Sequence, residues 1–127
     1  MGKGEYLFSE TTGLIIKSFY KVYNVLGHGF SKDIYKNALL VEFANMGLGT
    51  EQDKPVKILY GGKEIGEHRL EIVVNGCVLV ETEAFDKLSL ENDDRKIYNH
   101  LKASGLKVGL ILNFGKKAEI CRREFLG

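Results

Sequence analysis

The chain has 127 residues, of which 44% are hydrophobic and 28% charged, and its 18 basic and 17 acidic residues give a formal net charge of +1. This length predicts a single domain over residues 1–127, since either half would enclose too small a core to fold alone. The balanced charge excludes a protein that binds nucleic acid through its overall charge, so any such affinity must come from a local patch.

The sequence contains neither the apolar core of a signal peptide nor an apolar stretch of about 18 residues that would span a bilayer. Its two cysteines, Cys77 and Cys121, each lie in an alternating apolar run, where a buried thiol is more typical than a disulfide or a metal ligand. We therefore expect a cytoplasmic protein that makes no membrane contact.

Two helices come first along the chain. From Ser9, apolar residues recur at helical spacing as far as Gly27, a residue that favours helix termination, and either Ser9 or Thr12 can cap the start. A second helical pattern follows Ser31, which can cap it, and closes at Gly47. The two helices are expected to pack on each other.

The hydrophobic period then changes from helical to alternating. Residues 56–60 predict a strand, and Gly61-Gly62 predicts a hairpin turn because both glycines tolerate positive φ. A second strand, about residues 64–74, leads to Asn75-Gly76, a strong hairpin signal, and a third strand begins over residues 77–80. The pattern therefore predicts a three-stranded antiparallel meander.

The last third of the chain predicts a helix and two strands. Ser89 can cap a helix that runs to about Ser104 and ends at Gly105. Residues 108–114 are almost all apolar, which favours a strand covered on both faces, and residues 119–125 predict a more polar final strand. The order ααβββαββ predicts an α/β protein with a mixed sheet flanked by helices and with its first or last strand at an edge.

Acidic residues on the second and third strands are the first chemical signal. Glu81 and Glu83 lie two apart, so on a regular strand their carboxylates leave one face about 7 Å apart and can share a divalent cation. A two-residue turn at Asn75-Gly76 would pair Val74 with Cys77 and place Glu71 opposite Val80. Glu71 and Glu81 would then meet only if a bulge, a register shift or a strong twist intervened.

A different interpretation of the third strand is also open. Glu81 and Glu83 can form a solvated face while Val80, Thr82 and Ala84 point inward, which is the commoner arrangement for alternating carboxylates. Periodicity alone does not separate the two interpretations.

Several blocks of the chain match a family pattern: residues 20–30, 35–39, Glu51-Gln52 with Pro55, 66–71, and the long gapless block 99–115. In these blocks the chain resembles the GxxExxY family of the PD-(D/E)XK nuclease superfamily. The resemblance implies a restriction-endonuclease-like fold. It also implies Mg²⁺- or Mn²⁺-dependent cleavage of nucleic-acid phosphodiesters, in which acidic residues hold the metal and a lysine assists the nucleophile.

By this resemblance the metal ligands are Glu71, Glu81 and Glu83. Glu71 takes the place of an aspartate, and Glu81-Thr82-Glu83 takes the place of the E-x-K motif, so a carboxylate stands where the family has a cation. Lys32 stands at the glutamate of the family's name motif. Lys32 can instead form an ion pair with Glu71 or Glu83 where a metal would otherwise sit.

Lys96 can supply the missing cation. It aligns where relatives often carry a glutamine, so Lys96 and Glu83 are the candidate catalytic residues. The alternative is a solvated lysine in the charge run that includes Asp94 and Arg95. His28, His68 and His100 lack metal-ligand spacing, and we expect surface or hydrogen-bonding roles for them.

Three functions follow from these patterns. The first is a metal-dependent nuclease, and the second is a catalytically inactive nuclease-fold module that binds nucleic acid or a protein. The third is a homo-oligomer that associates through an exposed strand. Basic residues of the last quarter offer either a phosphate-facing patch or a solvated surface: Lys102, Lys107, Lys116, Lys117, Arg122 and Arg123.

Overall fold

The computed structural model describes residues 7–127, apart from the side chains of residues 90–93. Its elements follow the order ααβββαββ: α1 (Ser9–Leu26), α2 (Lys32–Asn45), β1 (Thr50–Tyr60), β2 (Lys63–Val74), β3 (Val78–Glu83), α3 (Leu90–Ser104), β4 (Val108–Phe114) and β5 (Ala118–Glu124). This confirms the predicted element order. In the described part of the chain, no helix combines the length and the apolar character needed to cross a membrane.

The five strands form one mixed sheet in the order β1-β2-β3-β4-β5. β1, β2 and β3 are successively antiparallel, β3 and β4 are parallel, and β5 returns antiparallel to β4. A parallel pair needs a crossover connection, which α3 supplies. The predicted restriction-endonuclease-like mixed sheet is therefore confirmed, and both β1 and β5 are edge strands.

Helices cover both faces of this sheet. Alternate residues of β4 show the division, because Leu110 and Leu112 pack with α1 and α2 whereas Ile111 packs with α3. All seven residues of β4 are buried, as the apolar run predicted. α1 begins after Phe8, which has a left-handed φ of 56°, so neither predicted capping residue occupies the N-cap.

The connection between β2 and β3 is one residue longer than predicted. Val74 pairs with Val78 rather than with Cys77, so Glu71 does not lie opposite Val80, which pairs with Ile72. Asn75 explains the change, because its N–H donates to the Gly49 carbonyl at 2.8 Å and its side-chain oxygen accepts from the Gly49 N–H at 2.9 Å. These bonds hold Asn75 next to Gly49, the residue that precedes β1. Because Asn75 is held there, the chain uses one more residue before β3 begins.

A two-stranded arm projects beyond the rest of the sheet. β2 pairs with β3 only over residues 72–74, whereas its pairing with β1 continues to the Gly61-Gly62 turn. We define the arm as residues 54–70. Both turn glycines have positive φ, 59° and 80°, as the hairpin prediction required. The base of the arm is anchored by Leu70 and Val56, which pack against the apolar residues of α3.

Candidate functional site

The third strand is buried along its whole length. All six residues of β3 are covered, and Glu81 and Glu83 are only 4% and 6% exposed. The interpretation of Glu81 and Glu83 as a solvated face is therefore wrong, because β4 pairs with β3 along its length and the helices cover both faces of the sheet. A carboxylate that is buried away from water in this way requires a charged or hydrogen-bonding partner.

Glu71 reaches the same region through the altered register, because the pairing of Val74 with Val78 and of Ile72 with Val80, continued by one position, brings Glu71 level with Glu81. Leu70 and Val73 both pack against α3, although regular alternation would place them on opposite faces. On the neighbouring strand, Asp53 has a left-handed φ of 51°. The strand alternation is therefore also interrupted between Leu70 and Val73, beside the register shift that brings Glu71 toward Glu81.

The Glu71 carboxylate is held by the third strand. One of its oxygens accepts the backbone N–H of Thr82 at 3.1 Å, and the other accepts the hydroxyl of Thr82. The Lys32 ammonium lies 3.6 Å from the first oxygen. Glu71 thus bridges β3 and the start of α2.

Two lysines approach the Glu83 carboxylate from opposite layers of the fold. Lys32 of α2 lies 3.8 Å from one oxygen of Glu83, and Lys96 of α3 lies 3.5 Å from the other. The Lys32 ammonium therefore bridges Glu71 and Glu83, which confirms the predicted ion pair. Lys96 is not merely solvated in a charge run, although its side chain is 49% exposed and that of Lys32 is 43% exposed.

Glu81 has a histidine partner that the sequence did not indicate. Its carboxylate is hydrogen-bonded to Nδ1 of His100 on α3, and the His100 ring stacks on His68 of the arm with centroids 3.8 Å apart. Burial, and then the neighbouring His100, lowers the pKa of His68 below its ordinary value of 6.5. His68 and His100 therefore connect the arm, α3 and the buried carboxylate.

Hydrogen bonds from β4 hold the segment that follows β3. The Asn113 amide accepts the N–H of Phe85 at 2.9 Å and donates to the Phe85 carbonyl at 3.0 Å. A Cβ at Gly115 would collide with that carbonyl oxygen, so glycine is required there. This clamp explains the Asn-Phe-Gly ending of the long resemblance block, and it holds the segment that follows Glu83.

An open cavity of about 290 Å³ lies between α2, β2, β3 and α3, and we call it the carboxylate cavity. It is lined by Lys32, Asp33, Lys36, Asp53, His68, Arg69, Glu71, Glu81, Lys96 and His100. Three predicted site residues, Glu71, Glu81 and Lys96, line it directly, and Glu83 lies beneath the two lysines that it binds. The sequence interpretation gave His68 and His100 no part in the site, although the four-residue spacing of Lys96 and His100 places both on one face of α3.

The cluster has the donor chemistry for a divalent metal but a different arrangement. Carboxylate oxygens are what Mg²⁺ and Mn²⁺ prefer. Among the residues that the structure describes, however, no three His, Cys, Asp or Glu side chains are placed to hold one ion. Lys32 occupies the space between Glu71 and Glu83, so the three carboxylates do not fit a metal as they are arranged.

Comparison with known families agrees with the fold. Residues 9–123 match a family model described as the PD-(D/E)XK nuclease superfamily. No curated protein and no solved structure matches the chain. The matched range contains every residue that lines the carboxylate cavity and covers most of the sequence. The chain therefore belongs to the PD-(D/E)XK nuclease superfamily.

Proposed function

We propose that this chain is a nucleic-acid-binding module of the nuclease fold, which contacts the phosphodiester backbone through Lys32 and Lys96 and does not depend on a divalent metal. The observation that carries the proposal is the position of the Lys32 ammonium, 3.6 Å from Glu71 and 3.8 Å from Glu83. A positive charge supplied by the chain itself neutralises carboxylates that would otherwise demand a metal ion.

The buried carboxylates also orient the two lysines. An ammonium group has three N–H donors, so a lysine that binds Glu83 from below can still donate to a phosphate oxygen above. Lys32 and Lys96 are each about half exposed and line the cavity, which leaves that side of both groups accessible. Lys36 and Arg69 line the same cavity and add cationic donors.

We also infer membership of the GxxExxY family, with an exchange of charge at two positions. The resemblance places a glutamate at the position of Lys32 and a lysine at the position of Glu83. In this chain the charges are reversed at both positions, and the Lys32 ammonium lies 3.8 Å from the Glu83 carboxylate. The two positions still hold one acidic and one basic residue in contact, which supports a coupled exchange of the two residues.

A metal-dependent nuclease is the second candidate, and one observation favours it. Glu71 and Glu81 line one cavity, and PD-(D/E)XK nucleases generally use divalent metals. If Lys32 and Lys96 turned into solvent, then Glu71, Glu81 and Glu83 would be available to hold Mg²⁺ or Mn²⁺. In that case Lys96 and Glu83 would be the candidate catalytic residues.

The two candidates are separated by measuring binding and cleavage with the same reagents. Labelled single-stranded and duplex DNA and RNA are incubated with the protein in EDTA, Mg²⁺ or Mn²⁺. We expect binding in EDTA that Lys32→Ala/Lys96→Ala weakens roughly tenfold at low salt, since two phosphate contacts are lost. The matched control Lys17→Ala/Lys87→Ala removes the same charge from exposed positions outside the cavity and should bind as wild type.

Metal-dependent cleavage that Glu81→Gln abolishes would reject the binding module in favour of the nuclease. Cleavage that Glu81→Gln leaves unchanged would exclude this site as its origin. Equal binding by the Lys32→Ala/Lys96→Ala variant and its control would reject the proposed role of the two lysines.

A further inference from the structure

A second cavity lies between the arm and α3. It has a volume of about 560 Å³ and is lined by Lys57, Ile58, Leu59, Asn99, Lys102 and Ala103. Half of this lining comes from β1 in the arm and half from the second half of α3. We call it the arm cavity. Its walls combine two cationic side chains with apolar ones, unlike the carboxylate cavity, whose lining is mainly charged.

We define the groove as these two cavities taken together, because α3 and the arm contribute lining residues to both. α3 contributes Lys96 and His100 to the carboxylate cavity and Asn99 and Lys102 to the arm cavity. Six residues of helix, about 9 Å along its axis, separate Lys96 from Lys102. The arm forms the opposite wall of both cavities and reaches α3 through the stack of His68 on His100. A linear ligand at the first cavity can therefore continue into the second.

We propose that this groove is a track for single-stranded nucleic acid, with phosphates on Lys57 and Lys102 and bases against the apolar wall formed by Ile58, Leu59 and Ala103. The proposal rests on the proposed nucleic-acid-binding function and names its preferred substrate class. Lys57 is largely exposed, and its 3.9 Å contact with Glu64 is a surface ion pair that costs little to break.

The mixture of side chains is the reason for preferring a single strand. A duplex presents phosphates outward and keeps its base faces stacked, so it cannot use an apolar wall. A single strand exposes base faces as well as phosphates, and proteins that bind it combine a cationic groove with apolar or aromatic surfaces. The apolar residues of the arm, together with the partly exposed ring of His68, provide such surfaces beside the lysines.

The test compares salt dependence and ligand length. Binding of a fluorescein-labelled oligodeoxythymidylate of about 12 nucleotides, a length within the range of single-strand sites, is measured against salt concentration. For Lys57→Ala/Lys102→Ala we expect the slope of log K against log salt to decrease by about 1.4, or 0.7 for each lost phosphate contact. The slope for Lys17→Ala/Lys87→Ala should match wild type.

Two further measurements identify the track itself. A dinucleotide carries a single phosphodiester and cannot contact both cavities at once, so Lys57→Ala/Lys102→Ala should weaken its binding less than that of the long strand. The wild-type preference for the single strand over a duplex of the same sequence should decrease in this variant. Because both lysines are exposed, circular dichroism should show an unchanged fold.

The outcomes separate the two proposals. If Lys32→Ala/Lys96→Ala weakens binding but Lys57→Ala/Lys102→Ala keeps the wild-type slope with the long strand, the track is overturned and the proposed function stands. If the wild-type protein prefers the duplex, the track is likewise overturned. If it binds none of these oligonucleotides at low salt, both proposals fail.

Discussion

The two faces of the central sheet are both buried, but they are stabilised in different ways. On the face that α1 and α2 cover, the ring of Phe114 stacks on Tyr35 at 4.1 Å and meets Phe19 edge-on at 4.8 Å. On the face that α3 covers, the apolar packing gives way to Glu81 and its neighbours at the end of β3. Apolar burial stabilises by itself, whereas a buried carboxylate stabilises only through its partners. Mutations should therefore affect the two faces differently.

The largest effect is expected on the aromatic face. Phe114→Ala removes a ring that is 1% exposed and contacts two other buried rings. The cavity left behind should lower the free energy of unfolding by about 3–5 kcal/mol. Urea denaturation monitored by circular dichroism measures this loss.

A matched control is available on the same layer. Val25 lies on α1 and is 77% exposed, so Val25→Ala should change the free energy of unfolding by less than about 0.5 kcal/mol. A loss below about 1 kcal/mol for Phe114→Ala would show that this face is not the stable core of the fold.

A smaller effect with a different signature is expected at the carboxylates near the end of β3, which Lys32 of α2 reaches from the other layer. Lys32→Ala leaves Glu71 and Glu83 buried with less compensation and should cost about 2 kcal/mol of stability. The vacated space gives the two carboxylates room for a divalent cation. Mn²⁺ should therefore raise the melting temperature of Lys32→Ala more than that of wild type, because binding to the folded state stabilises it.

Two comparisons make the Mn²⁺ result specific. Lys17→Ala, at an exposed position of α1, should respond to Mn²⁺ as wild type does. The double variant Lys32→Ala/Glu83→Gln also removes one of the two carboxylates that Lys32 contacts and should lose most of the added response. A wild-type melting temperature that rises as much as that of Lys32→Ala would contradict the view that Lys32 takes the place of a metal.

The difference between the faces also explains what the sequence predicted and what it did not. Element order, sheet type and the burial of β4 follow from local periodicity, which an apolar face displays directly. The charged face has no such signature, since Glu81 and Glu83 alternate with Val80 and Thr82 as on a solvated strand. Their burial depends on α3 and β4, which lie farther along the chain.

Long-range contacts decided the remaining details of the site. The Asn75-Gly76 pattern predicted a two-residue turn, but bonds between Asn75 and Gly49 set a longer connection and a different register. His68 and His100 lie 32 positions apart and come together only when the arm packs on α3. The ion pairs of Lys32 were predicted because the resemblance had aligned it with a site position.

The smallest expected effect concerns pH and again distinguishes the charged face. Since burial lowers the pKa of His68 below 6.5, the folded state favours the neutral imidazole. The unfolded chain takes up a proton near pH 6.5, whereas the folded chain does so only at lower pH. His68 therefore contributes stability above that pH, and the contribution is lost as pH falls through 6.5 toward the folded pKa.

Urea denaturation of wild type and His68→Gln at pH of about 8 and about 5.5 measures this contribution by difference, because the carboxylates are common to both proteins. We expect acidification to lower the free energy of unfolding of wild type by more than that of His68→Gln. The same comparison between wild type and Val25→Ala should give equal losses, since Val25 does not titrate. If acidification lowers the free energy of unfolding equally for wild type and His68→Gln, then His68 titrates alike in the folded and unfolded states. The contact between the arm and α3 would then be more open to water than the stack of His68 on His100 indicates.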